Sequence, residues 1–480
     1  MPRTPALLLM LPVLAAAGLL LSLNSCSSNS SPSPSTTVPP PASSAKIQHI
    51  VVIVQENRTP DNLFHDQNLI NAGADLASSG TNSLGQTIQL APTSLGVDYD
   101  LSHAHSAFVA MYDGGKMDGA DKVTISCSKG ATDCPPPNAQ FLYVQASDVG
   151  PYFQMAEQYT FGDRMFQSNE GPSFPAHQFI ISGTSAPTAT SNLFVAENGQ
   201  GFTNAGNDTG CTSPPQEYVY LIDPYGAESS TMYPCMDHPV LMDELDAKGI
   251  SWRYYTPSAG SLWTAPNAIQ HLCGPNATPP NATACTSSDW VNDVVLYTTQ
   301  NPAPILTDIA NNQLPAVSWV IPGGANSDHA GSTTTTGGPD WVASIVNAIG
   351  TSSYWSNTAI LIFWDDWGGW YDHVAPAVVN NGTSWGSGYV YGFRVPLIVI
   401  SPYAKAAYIS HVTHDFGSIL NFIEGTFGLS SLGYADARAD DLSDCFDFTQ
   451  TPITFQTINT TVGADFFLHD TRPITDPDDD

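Results

Sequence analysis

Two continuous apolar runs constrain this chain more than anything else in it: residues 50–54 and residues 359–363. An apolar run without polar alternation reads as a strand buried on both faces, the kind that parallel sheets covered by helices contain. Each run ends in oxygen donors. The first leads into Gln55-Glu56-Asn57-Arg58; the second leads through Trp364 into Asp365 and Asp366, then Gly368-Gly369 and His373. Ligand sites in open α/β sheets gather at the carboxyl ends of such strands. Adjacent carboxylates repel unless something positive sits beside them, and a metal ion is the commonest remedy. Two buried strands far apart in sequence, each ending in metal-type ligands, form the first sign of a site.

The rest of the chain alternates in the same manner. Helical patterns are expected at 151–159, 174–181, 239–247, 339–349 and 418–427, and strands at 249–255, 314–321 and 395–400. Residues 163–170 read as a turn. The helix after them places Ser173 at its N-terminus with Pro175 in the first turn. With no internal repeat, this alternation predicts one α/β catalytic domain over 46–470, with a mostly parallel central sheet flanked by helices.

The ends of the chain have a different character. Arg3 precedes an apolar run over 6–23, followed by Leu23-Asn24-Ser25-Cys26, so residues 1–25 read as an export signal. Leu-x-Ser-Cys resembles a bacterial lipobox, which would make Cys26 a lipidated first residue and tie the protein to a membrane; ordinary cleavage or an uncleaved anchor are the alternatives. Residues 26–45 form a Ser/Pro-rich tether, and 471–480 an acidic, disordered tail. In an exported protein the three local cysteine pairs, Cys127/Cys134, Cys211/Cys235 and Cys273/Cys285, are suited to loop disulfides, and Cys445 is left as a buried small hydrophobe.

Charge excludes one large class of partner. Thirteen Lys and Arg face 44 Asp and Glu, a net charge of −31. Nucleic-acid binding needs a basic footprint, which this chain lacks. An anionic substrate must instead be captured locally, by a cation.

Six stretches, in order, resemble one family: ENRTPDNLF (56–64), GGKMDG (114–119), GPSFPAH (171–177), SDHAG (327–331), DDWGGWYDHV (365–374) and YGFRVPLIVISPYA (391–404). The chain is similar to the bacterial phosphoesterases that include phospholipases C and AcpA-like acid phosphatases, over about residues 46–448. The resemblance implies an alkaline-phosphatase-like fold and one divalent ion, held by Glu56, Asn57, Asp365 and Asp366 with Ser173 as both ligand and nucleophile. It also implies His103, His271 and His329 around the phosphate. Oxygen donors alone do not choose among calcium, magnesium, manganese and zinc. Ser173, and Asp366 where many phospholipases C have Glu, resemble the acid-phosphatase side, which gives phosphomonoesters as the expected substrates and phosphatidylcholine-type diesters as the alternative.

A serine hydroxyl needs a base, a metal or a favourable dipole to attack phosphorus, so the implied constellation is chemically coherent. His373, His411 and His414 read as structural, no role is assigned to His105 or His177, and Lys116 and Asp118 belong to a pocket mouth or to a solvated turn. A carboxylesterase is disfavoured because the GxSxG elbow is absent, the serine lying in GPSFP. A non-catalytic surface lipoprotein is disfavoured by the full set of donors.

Overall fold

The computed structural model describes residues 46–132, 134–201, 209–331, 337–379 and 390–477. The export signal, Cys26, the tether and residues 478–480 of the tail lie outside them. The central sheet has nine described strands: β1 His49–Gln55, β2 Thr160–Phe166, β3 Trp252–Thr256, β4 Val294–Leu296, β5 Val317–Val320, β6 Thr358–Trp364, β7 Arg394–Ile400, β8 Tyr408–Ser410 and β9 His414–Asp415. Their spatial order is β4-β3-β5-β1-β6-β7-β2-β8, with β9 also on β2. The run from β4 to β6 is parallel throughout; β7 is antiparallel to both its neighbours, and β8 and β9 are parallel to β2.

The apolar runs become strands because both faces are covered. Every residue of β6 and of β7 is buried. Adjacent side chains of a strand point to opposite faces. On β6, Trp364 packs edge-on against Tyr152 (ring centroids 5.1 Å apart), while Phe363 meets Phe416 at 5.4 Å. Helix α1, Ala146–Gln158, therefore covers one face, and α4, Phe416–Phe427, the other. Each has a companion: α3, Gly337–Gly350, packs on α1, and α2, Ser173–Ser182, packs on α4. A separate apolar cluster, including Leu101, Phe108, Trp367, Trp370 and Phe393, fills the space beneath the loop after β6.

Three readings are corrected. Residues 160–166 form β2, a paired strand rather than the start of a turn. Its polar centre, Asp163 and Arg164, hides the pattern, and both side chains are satisfied across the fold, by His411 and by Asp75. Helix α1 begins at Ala146, five residues before Pro151, and accommodates the proline by leaving helical geometry at Val149 (φ −120°, ψ 15°). The described part of the tail, residues 471–477, is held: Gly324 N–H donates to the Thr475 carbonyl at 3.0 Å, and Arg472 donates to Asn326 Oδ1 at 2.7 Å. The three expected disulfides form, Cys127–Cys134, Cys211–Cys235 and Cys273–Cys285, and Cys445 is buried and unpaired with another cysteine. Among the described residues no helix is long and apolar enough to cross a membrane.

Candidate metal centre and its serine

Strand register brings the acids together. β1 and β6 run parallel with Gln55 opposite Trp364, and Asp365 N–H donates to the Gln55 carbonyl at 2.9 Å. The next residues along, Glu56 and Asp365, are thus neighbours at the carboxyl ends of two adjacent strands. β5, on the other side of β1, leads to Ser327, Asp328 and His329. Glu56, Asn57, Asp365, Asp366 and His329 are all buried.

Asn57 carries the turn that closes the site. Its φ of +61° is the left-handed region, which costs a residue with a Cβ of the order of 1–3 kcal/mol. In return its backbone N–H reaches Asp365 Oδ1 at 3.3 Å. Gly368 makes the matching approach: a Cβ there would stand 2.3 Å from the Asn57 carbonyl oxygen, and its own φ is +61°. A Cβ on Gly369 would stand 2.5 Å from Leu101 Cβ and 2.8 Å from the Ser102 carbonyl oxygen. The Gly-Gly pair is room for backbone.

His103 and His329 flank the Asn57 side chain. His103 Nδ1 is bonded to the Leu101 carbonyl at 2.9 Å and His329 Nδ1 to the Ala330 carbonyl at 2.7 Å. A carbonyl can only accept, so each Nδ1 carries a proton and a neutral ring turns its Nε2 lone pair to Asn57. Asn57 Nδ2 donates to His103 Nε2 at 3.2 Å, and the same amide position lies 2.9 Å from His329 Nε2. The amide oxygen then faces Glu56 Oε2 and Asp365 Oδ1. Three oxygens facing one another are repulsive unless a cation sits among them. In the other orientation of the amide, its nitrogen donates to those acids at 3.2 and 2.9 Å and its oxygen lies 2.9 Å from His329 Nε2 and 3.2 Å from His103 Nε2.

Ser173 opens α2, with Pro172 before it in extended conformation. Its hydroxyl donates to Asp366 Oδ2 at 3.1 Å, and Asp366 Oδ1 accepts from Gly368 N–H at 2.7 Å. One turn further on, His177 is brought to the same place, a position to which the sequence assigned nothing. Its Nε2 stands 3.7 Å from Glu56 Oε1 and 3.5 Å from Asp365 Oδ2. The signal available was the Ser-x-x-x-His spacing, which sets both side chains on one helix face. It went unused because all ten residues of α2 are buried, leaving no amphipathic stripe to mark the inward face.

Whether these residues suit a cation can be judged from their own chemistry. Glu56 Oε1, Asp365 Oδ2 and His177 Nε2 are buried without a hydrogen-bond partner and lie within 4.8 Å of one another. Burial, then the charges of Asp365 and Asp366, hold the Glu56 carboxyl well above the usual range. Burial, with Asp365 adding to it and His103 opposing it, pushes Asp366 up to about 7. Asp365 goes the other way: burial opposes its charge, but its His177, Glu56 and Ser173 neighbours together outweigh that. Unpaired carboxylate oxygens in a dry site are expensive, and a divalent ion among them removes the expense. The donor set fits.

His271 is not brought to this site. It sits half-exposed on a four-residue helical turn, Gln270–Cys273, clasped by Asp237 at 2.6 Å and Asp243 at 3.1 Å. Those two acids raise its pKa to about 9, Asp243 foremost, against the burial that lowers it. The motif-based role is replaced by a surface ion-pair role. His373 bonds Asp61 (2.7 Å) and Asp75 (3.0 Å) in a network with Arg394 and Asp372, and His414 bonds Asp440 at 2.8 Å. Lys116 is exposed and paired with Asp113, as a solvated turn would have it.

The carboxyl edge of the sheet thus gathers acids, an amide and a serine, among them a group of side chains that could hold a metal ion. The model of the Phosphoesterase family matches residues 47–430, and the chain belongs to that family, whose members hydrolyse phosphoric ester bonds. Its relatives include Phospholipase C B of Mycobacterium tuberculosis, 24% identical over 449 residues covering 85% of this chain and 78% of that one. The Non-hemolytic phospholipase C of Pseudomonas aeruginosa is 24% identical over 84% of this chain and 57% of its own length. Among solved structures, a protein in the alkaline phosphatase superfamily from Vibrio parahaemolyticus aligns over 83% of this chain and 71% of that one, at 10% identity and a TM-score of 0.34.

Proposed function

We propose that this protein is an exported, metal-assisted phosphoesterase that uses Ser173 as its nucleophile. The observation that carries the reading is the Ser173 hydroxyl donating to Asp366 Oδ2 at 3.1 Å, at the start of a buried helix and beside the unpartnered oxygens of Glu56 and Asp365. A divalent ion held by Glu56, Asn57, Asp365 and Asp366, with Ser173 in reach, would offset the charge on a phosphoryl group and favour the serine alkoxide. The chain's own residues do the rest. Asp366 takes the proton from Ser173 Oγ as the Oγ–P bond forms and the P–O bond to the alcohol breaks. In its doubly protonated form, released from Asn57, His329 or His103 would give its Nε2 proton to the departing oxygen, and the other, likewise protonated, would donate to a non-bridging oxygen. Water then attacks the phosphoserine, its proton restoring the histidine, while Asp366 returns its proton to Oγ as the Oγ–P bond breaks and phosphate leaves.

Phosphomonoesters are the proposed substrates, supported by the pairing of Ser173 with Asp365-Asp366. A phosphatidylcholine-type diester is the second reading, favoured by relatives named as phospholipases C over most of this chain. Three disulfides support export, and a lipidated Cys26 would hold the enzyme at a membrane. The test is a metal-stripped and reconstituted screen over a soluble monoester, a soluble diester and phosphatidylcholine vesicles. Activity should vanish on stripping, return with a divalent ion, and be greatest on the monoester. Full activity after stripping would sink the reading, and a preference for the vesicles would replace the substrate class.

A further inference from the structure

We propose that His177 Nε2 is itself a ligand of the metal centre, making it a mixed oxygen–nitrogen site that selects a first-row transition ion over calcium or magnesium. This rests on the reading above that the centre holds a divalent cation, and it adds a donor that no motif supplied.

Four observations converge. His177 is fully buried, and Nε2 has no hydrogen-bond partner. It faces two other unpartnered atoms, Glu56 Oε1 at 3.7 Å and Asp365 Oδ2 at 3.5 Å. Charge-assisted N–H···O bonds are about 2.7–2.9 Å, so 3.5 and 3.7 Å are ion-pair separations rather than hydrogen bonds to either acid. They are separations that donors sharing one ion can have, since two donors each about 2.1 Å from a metal stand about 3 to 4 Å apart.

The surroundings of the ring also favour the tautomer a ligand needs. Tyr254 donates its hydroxyl proton to the Trp263 carbonyl at 2.6 Å, so its oxygen is left to accept from His177 Nδ1–H at 3.4 Å. That leaves the lone pair on Nε2. Trp263 orients a second donor, its Nε1–H reaching Glu56 Oε2 at 2.8 Å. An outer partner that fixes a ligand's tautomer and direction is the usual accompaniment of a ligating histidine. Calcium and magnesium take oxygen shells, whereas imidazole suits zinc, copper, iron and nickel far better.

The experiment uses the whole mature chain, stripped and reloaded with Mn²⁺, and pulsed electron paramagnetic resonance with and without ¹⁵N-histidine. A directly bound histidine nitrogen is expected in the wild type, retained in His103→Gln and His329→Gln, and lost in His177→Gln. Zn²⁺ affinity of His177→Gln should fall about 10–100-fold, with Ca²⁺ affinity changed less than about threefold. The two retained signals assign the nitrogen even if His177 variants fail to fold. No histidine nitrogen in the wild type, or one that persists in His177→Gln, overturns the proposal and leaves a metal-assisted enzyme standing. If no divalent ion binds at all, the proposal and the reading it rests on fall together.

Discussion

Asp366 and Ser173 are placed for a proton to move between them, and the carboxylates beside them are placed for something else. Ser173→Ala removes the attacking atom but none of the charged donors. Turnover of a monoester should fall at least about a thousandfold while the variant still binds its divalent ion. Steady-state kinetics beside metal analysis would check it; substantial residual turnover would mean that water or another group attacks. Most of this site could be read in the chain because its residues stand immediately after apolar runs or inside compact motifs. Glu56, Asn57, Asp365 and Asp366 follow strand ends, and the register of β1 against β6 brings them side by side. His271 misled because its surroundings are tertiary: Asp237 and Asp243 come from other segments, and no local pattern announces them. His177 escaped because a helix buried on all sides shows no preferred face.

At the level of elements, the loop after β6 depends on glycine in a way that can be measured. Gly368→Ala puts a Cβ against the Asn57 carbonyl and forces a left-handed residue to carry it. The expected cost is about 1–3 kcal/mol of stability, with weaker metal binding because Asn57 is pushed from its place. Gly425→Ala in α4, where a Cβ meets nothing within 4 Å, should be neutral or stabilising. Thermal melts and metal titrations of the pair would separate site geometry from general tolerance. The strands flanking the site were legible because they are uniformly apolar. β2 was not, because Asp163 and Arg164 interrupt it and only distant partners make their burial tolerable.

Across the whole molecule, the second acidic cluster is structural and sets a pH dependence. Burial opposes a charge on His373, yet the Asp61 hydrogen bond more than offsets it and raises the ring to about 9. A group whose pKa is higher folded than unfolded stabilises fully below its unfolded value, near 6.5, and loses that contribution as pH climbs through the folded one. Melting temperature should therefore decline between about pH 6.5 and 9, and His373→Gln should flatten that part of the profile. An unchanged slope would remove His373 from the account.

The central claim is that phosphorus passes through Ser173, and stereochemistry reads this most directly. A monoester made chiral at phosphorus with oxygen isotopes can be turned over in the presence of an acceptor alcohol, and the configuration of the product determined. Two in-line displacements, onto Ser173 and off it, predict retention. Inversion would mean a single displacement by the acceptor and would contradict the account.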